Sequence, residues 1–129
     1  MKLLLDSHFL LWSALDPNRL SDGARQLIED AGNDLLFSAA SIWEIAIKVS
    51  RGRSDFTIRP EIISQAAIAA AFQLIPIHGS VAERVADLPM LHQDPFDRLL
   101  IAQAMALPMR FYTADRKLLP YSELVTLVD

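Results

Sequence analysis

The sequence predicts an α/β fold with a mostly parallel central sheet, and three observations support this class. Short apolar runs such as Lys2 to Leu5 stop abruptly, as buried parallel strands do. Longer apolar or amphipathic stretches with helix-capping residues alternate with these runs. The chain has 129 residues, of which 52% are hydrophobic, and this is enough for one packed core. We therefore expect a single domain over residues 1–129.

The predicted elements alternate along the chain. Strands are expected at Lys2 to Leu5, Asp34 to Phe37, Leu74 to Ile77, Arg110 to Tyr112 and Leu124 to Leu127. Helices are expected at Phe9 to Leu15, Ser21 to Ala31, Ser38 to Gly52, Pro60 to Phe72, Ser80 to Leu88 and Pro95 to Leu107. Ser21 and Gly52 are typical cap residues, and a proline fits the first helical position of the last helix.

The composition argues against several classes of protein. No apolar run reaches the roughly 18 residues of a membrane span, and the N-terminal segment lacks the features of a signal peptide. The chain has no cysteine, so it has neither disulfides nor thiolate zinc sites. We expect a soluble, cytoplasmic protein without a membrane partner.

Acidic residues recur where predicted strands end and predicted helices begin. Asp6 follows the first strand, and Glu44 lies in the helix after the second. Asp97 begins the last helix, and Asp115 follows the fourth strand. Each acid alone has an ordinary explanation, because helix N-termini favour acids and Ser41 with Glu44 matches a capping box. In open parallel sheets, however, ligands gather at the carboxyl ends of the strands.

As a set, these acids indicate a metal site. They border apolar segments, where an unpaired charge is costly, and clustered carboxylates raise one another's pKa. A divalent cation relieves both costs, and an all-oxygen donor set favours Mg²⁺ or Mn²⁺ over zinc. His8, His78 and His92 show no paired ligand spacing, so structural roles are expected for them. A bound cation would also let a chain of net charge −4 act on a polyanion.

Four segments carry a resemblance to a known family, namely "LLLDSHFLLW", "SAASIWEIAIK", "DPFDRLLIAQA" and "FYTADRKL". In order and spacing they resemble the PIN-domain ribonucleases, specifically the VapC-type toxins of bacterial toxin–antitoxin pairs. The resemblance implies a three-layer α/β/α sandwich and Mg²⁺- or Mn²⁺-dependent cleavage of RNA. Its catalytic acids match Asp6, Glu44, Asp97 and Asp115, with Asp6 and Asp97 as direct metal ligands. It also implies a cognate VapB-type antitoxin and a homodimer.

Several residues near these acids have more than one possible role. Ser7 stands where relatives often carry Thr and keeps the hydroxyl. Asp94 fits a helix cap better than a fifth ligand, because Pro95 follows it. Thr113 either hydrogen-bonds a site carboxylate or caps a turn. Arg98 either contacts a substrate phosphate or is a solvated or acid-paired side chain.

Two surfaces are candidates for binding partners. Lys48, Arg51, Arg53 and Arg59 form a basic cluster that either guides RNA or is simply solvated. The helix at Pro60 to Phe72 is apolar nearly all round, so we expect part of it, with the helix containing Trp43, to face the antitoxin or a second subunit.

Two alternatives remain open. A receiver-like signalling domain is also a small Mg²⁺-binding α/β domain, but it needs paired acids after the first strand and an acceptor Asp after the third. The segments "LLLDS" and "LIPIHGS" lack these features. A PIN-like binding protein without activity is the other alternative, and the complete set of acids argues against it.

Overall fold

All five strands of the central sheet run parallel, in the spatial order β3-β2-β1-β4-β5. The structure, a computed structural model, describes residues 1–52 and 57–128. The strands are β1 (Lys2–Leu5), β2 (Asp34–Ser38), β3 (Gln73–Ile75), β4 (Arg110–Thr113) and β5 (Val125–Leu127). β1 lies in the middle, where it pairs with β2 on one side and β4 on the other. This position places Asp6 at the centre of the carboxyl edge.

Helices connect the strands and cover both faces of the sheet. They are α1 (Ser7–Leu15), α2 (Asp22–Glu29), α3 (Ala39–Ser50), α4 (Pro60–Ala69), α5 (Gly79–Arg84) and α6 (Pro95–Ala106). Short 3₁₀ helices lie at Pro17–Arg19, Val85–Asp87 and Arg116–Tyr121. Among the described helices, none has the length and apolar character that a membrane crossing requires.

Two apolar cores lie on opposite faces of the sheet, because alternate side chains of each strand point to opposite sides. Leu3 and Leu5 of β1 face one core, and Leu4 faces the other. The first core also contains residues of α1, α2, α3 and α4, and the second is built largely on α6. The expected three-layer α/β/α sandwich is thereby confirmed.

The strand order bears on the receiver-like alternative. Receiver domains of the flavodoxin-like class have the order 2-1-3-4-5. Here β1 rather than β3 is central, and β3 lies at the edge. The receiver-like alternative is therefore wrong.

The boundary between α4 and β3 differs from the expected one. α4 ends at Ala69 instead of Phe72, and β3 covers Gln73–Ile75 instead of Leu74 to Ile77. The Ala71 and Phe72 N–H groups return to the Ile68 and Ala67 carbonyls, both at 2.9 Å, which is a Schellman termination. Ala71 takes a φ of +69° there, a position that usually carries glycine. Without a glycine, the sequence gives no sign of the stop.

Two further expectations need correction. The helix expected at Ser80 to Leu88 is divided into α5 and the 3₁₀ helix at Val85–Asp87. The expected capping box of Ser41 with Glu44 is also wrong, because the α3 N-cap is Ser38, whose hydroxyl accepts from the Ala40 N–H at 3.0 Å. Glu44 is therefore left without a capping role.

Candidate active site

Asp6 lies directly after β1 and caps α1. Its Oδ1 accepts the Phe9 N–H at 2.9 Å, and its own N–H donates to the Tyr112 carbonyl of β4 at 3.0 Å. The residue is only 6% exposed. Burial raises the pKa of Asp6, while the Phe9 N–H, the Thr113 hydroxyl and nearby His8 oppose that rise. Asp6 is thus a buried carboxyl group whose ionised form is costly without a cation.

Asp97 is the third residue of α6 and lies among other carboxylates. Burial, together with the negative charges of Asp94, Asp6 and Glu44, raises the pKa of Asp97 to about 7. His92 opposes this rise in pKa. The influence of Asp6 and Glu44 shows that acids at the N-cap of α1, in the second turn of α3 and in the first turn of α6 lie close enough to interact.

Glu44 lies on α3 and accepts a hydrogen bond from the side chain of the first residue of α1. The Ser7 Oγ donates to Glu44 Oε1 at 2.8 Å and lies 2.9 Å from the Ser41 Oγ. The Lys48 ammonium lies 3.3 Å from the other Glu44 oxygen. Two neighbouring groups thus fix the orientation of the Glu44 carboxylate.

Asp94 and Thr113 both act on the backbone near the acids. Asp94 Oδ1 accepts the Phe96 and Asp97 N–H groups at 2.8 and 3.3 Å, so the expected cap of α6 is present. The Thr113 Oγ1 accepts the Asp115 N–H at 3.1 Å, and its hydroxyl also lowers the pKa of Asp6. The turn cap expected of Thr113 is therefore present, and its hydroxyl also stabilises the Asp6 anion.

Asp115 is more exposed than Asp97 and caps the following 3₁₀ helix. Its Oδ1 accepts the Lys117 N–H at 3.0 Å. Its other oxygen lies 3.8 Å from His92 Nε2, and the same nitrogen lies 3.2 Å from Asp97 Oδ2. His92 therefore connects Asp115 to Asp97.

Sequence reasoning missed His92, which it treated as a structural histidine. Its position in "HQDPFD" is the one available signal, because it lies shortly before a helix start that carries two acids. One ligand atom each from His92, Asp94 and Asp97 lies within 4.8 Å of the others. Within the described part of the chain, this is the group of His and acidic side chains whose ligand atoms lie close enough together to hold one metal ion. Asp6, Glu44 and Asp115 are not members of this group.

These side chains fit a divalent cation. The group of His92, Asp94 and Asp97 offers two carboxylate oxygens and one imidazole nitrogen. Burial raises the pKa of Asp97 in this group and also the pKa of Asp6, whose charge acts on Asp97 from outside it. Oxygen-rich donor sets of this kind suit Mg²⁺ or Mn²⁺. A cation there would offset the burial and the repulsion that together raise the pKa of Asp97.

Arg98 does not face the acids. The residue is 7% exposed, and its guanidinium donates to the carbonyls of Pro89, Val85 and Leu88 and to the Tyr121 hydroxyl. These contacts use the hydrogen-bonding groups that a substrate phosphate would need. The expectation that Arg98 contacts a substrate phosphate is therefore wrong, and so is the alternative that its side chain is solvated.

A cavity of about 460 Å³ adjoins the acids at Glu44. Its lining includes Lys48, Arg51 and the start of α6 around Pro95 and Phe96. Of the expected basic cluster, these two cations border the cavity, whereas Arg59 pairs with Glu61 at 2.8 Å. The fourth member, Arg53, lies outside the described residues.

Comparisons with known proteins agree with this architecture. A family model of the PIN domain matches residues 3–123. Ribonuclease VapC22 from Mycobacterium tuberculosis (strain ATCC 25618 / H37Rv) is 36% identical over 117 residues, covering 90% of this chain and 88% of the relative. A solved structure of VapBC2 from Rickettsia felis bound to a DNA fragment from their promoter matches with a TM-score of 0.67. That match covers 98% of this chain and 97% of the other at 14% identity, so it supports the fold alone.

Proposed function

Because the chain belongs to the PIN domain family, in its VapC-type branch, we propose that it is a metal-dependent endoribonuclease. It hydrolyses RNA phosphodiester bonds and is the toxin of a type II toxin–antitoxin pair. The observation that carries the proposal is the environment of Asp97, where burial and three other carboxylates raise the pKa to about 7. A ribonuclease that works through a divalent cation needs such a concentration of acids.

Asp6 and Asp97 are the proposed direct ligands of Mg²⁺ or Mn²⁺. PIN ribonucleases generally use a divalent metal, which when bound neutralises the acids and stabilises negative charge at the phosphate. Glu44 and Asp115 complete the pocket and orient water. The Ser7 hydroxyl holds Glu44, and the Thr113 hydroxyl holds Asp6.

The cavity beside Glu44 is the proposed path of the RNA strand. Lys48 and Arg51 on its wall carry positive charge beside the acids, whereas the chain as a whole has a net charge of −4. Phosphates that flank the scissile bond would meet these cations. Trp43, 60% exposed, lies edge-on to Phe96 at 5.2 Å between ring centroids and offers an aromatic surface nearby.

The proposed partners are a cognate VapB-type antitoxin and a second copy of the chain. The neighbour from Rickettsia felis is a VapBC2 complex, which supports an antitoxin partner. On α4, Ile63 and Ala67 are buried, whereas Ile62 and Ile68 are exposed and available for an interface. A complex in which α4 and Trp43 remained solvent-exposed would count against this surface.

RNA cleavage tests the proposal. Wild type should cleave single-stranded RNA with Mg²⁺ or Mn²⁺ and lose the activity in EDTA. Asp6→Asn keeps the shape of the side chain but removes the anion, so its rate should fall by about 100-fold or more. Asp34→Asn is the matched control, because Asp34 lies at the amino end of β2, on the edge of the sheet opposite to Asp6. This variant should leave the rate unchanged.

A rate for Asp6→Asn equal to that of wild type would refute the site. Absence of any metal-dependent cleavage would favour the alternative of an inactive PIN-like binding protein.

A further inference from the structure

The segment before α6 is fixed by a buried polar network. The N–H groups of Leu91 and His92 donate to the Tyr121 hydroxyl oxygen at 3.2 and 2.8 Å. The Arg98 guanidinium donates to the same oxygen at 3.2 Å and to the Pro89 carbonyl at 2.8 Å. Arg98 and Tyr121 are both buried. The backbone at His92 is therefore held in place by the core below it.

This network directs the His92 imidazole at the acids. Nε2 lies 3.2 Å from Asp97 Oδ2 and 3.8 Å from Asp115 Oδ2. Two ligands about 2.1 Å from one octahedral ion are about 3.0 Å apart when adjacent and about 4.2 Å apart when opposite. The 3.2 Å separation from Asp97 Oδ2 is close to that of adjacent ligands, whereas 3.8 Å from Asp115 Oδ2 matches neither arrangement. His92 and Asp97 can therefore be adjacent ligands of one ion without Asp115.

We propose that His92 is a nitrogen ligand of the divalent ion held by Asp97, and that it shifts the preference of the site from Mg²⁺ toward Mn²⁺. The inference rests on the metal site of the proposed function and adds a ligand to its acids. Imidazole nitrogen is a common ligand of transition-metal ions, whereas Mg²⁺ takes oxygen ligands. A site of carboxylates alone would discriminate less between the two ions.

The alternative role for His92 is positioning, in which the imidazole only hydrogen-bonds Asp97. The two roles differ in a spectroscopic signature, because only a ligand nitrogen couples directly to the electron spin of Mn²⁺. The test therefore uses the full chain with Mn²⁺ and without RNA. Pulsed electron paramagnetic resonance should detect a directly coupled nitrogen in wild type.

His92→Gln should lose this coupling and bind Mn²⁺ at least tenfold more weakly, with a smaller change for Mg²⁺. The Gln amide can still donate to Asp97, so a positioning role alone would survive the substitution. His78→Gln is the matched control, since His78 is an exposed histidine before α5. It should keep both the coupling and the affinity.

Wild type without nitrogen coupling would overturn the inference, as would equal Mn²⁺ affinity for wild type and His92→Gln. Failure to bind Mn²⁺ would overturn it together with the metal site. RNA cleavage by the same samples separates the two proposals. Nitrogen coupling without cleavage would support the ligand and refute the ribonuclease, whereas cleavage without coupling would do the reverse.

Discussion

Substitution of Asp97 by Asn should stabilise the metal-free protein at alkaline pH. In the fold, burial and neighbouring carboxylates raise the pKa of Asp97 to about 7, from an ordinary value of 3.8. The charged form is therefore disfavoured by folding, and the cost grows as the pH rises from about 4 to about 7. Above about pH 7 the Asp97 carboxyl group is ionised in both the folded and the unfolded chain, so the free-energy cost no longer grows. Asparagine cannot ionise and avoids it.

The raised pKa sets the size of the effect. The interval from 3.8 to about 7 spans about three pH units, which correspond to about 4 kcal/mol at about 1.36 kcal/mol per unit. The side chain is 24% exposed, so solvent screening reduces this to about 2 kcal/mol. Losing an acid from the first turn of α6 costs about 0.5 kcal/mol. Asp97→Asn should gain about 1.5 kcal/mol at pH 8 and almost nothing at pH 4.

Urea unfolding in EDTA at pH 4, 6 and 8 measures this gain. Asp22→Asn is the matched control, since Asp22 is an exposed acid in the first turn of another helix, α2. That variant should change the free energy of unfolding little at pH 8. If Asp97→Asn lowered the free energy of unfolding at pH 8, or changed it equally at pH 4 and pH 8, the reasoning about Asp97 would be refuted.

Three further substitutions test other parts of the structure. Arg98→Ala should lower the free energy of unfolding in urea by about 3 kcal/mol, because buried carbonyls lose their donors, whereas exposed Arg116→Ala should change it little. Ala71→Gly should raise the free energy of unfolding by about 1 kcal/mol by relieving a φ of +69°, and a loss would contradict the Schellman assignment. Arg51→Glu should weaken binding of single-stranded RNA and flatten its salt dependence, whereas exposed Arg19→Glu should do neither.

The order of strands and helices could be predicted from the sequence because strands such as β1 and β2 are built on short apolar runs. Leu3 to Leu5 shows the reason, since parallel strands covered on both faces need apolar side chains on both faces. The position of Asp6 after this run was predictable for the same reason. The proposed grouping of the acids followed from the rule that parallel strands place their carboxyl ends at one edge.

The failures at the site concern contacts between residues far apart in the sequence. Arg98 lies beside Asp97 in the chain, and only its position on the helix turns it toward Tyr121 and the Pro89 carbonyl. His92 could not be distinguished from His8 or other single histidines, because its approach to Asp115 depends on how that segment packs. Apart from the nearness of His92 to the two acids in "HQDPFD", no local pattern in the sequence records these contacts.

The two aspartates of "DPFD" differ in what satisfies their charge. Asp94 accepts two backbone N–H groups at the start of α6, so the helix itself stabilises its anion. Asp97 lies in the same positive end of the helix dipole, which by itself lowers the pKa of an acid. Its pKa is nevertheless raised to about 7, so burial and the surrounding carboxylates outweigh the helix. Burial and the negative charge of the neighbouring carboxylates both disfavour the Asp97 anion, and a divalent cation bound beside it would offset both costs.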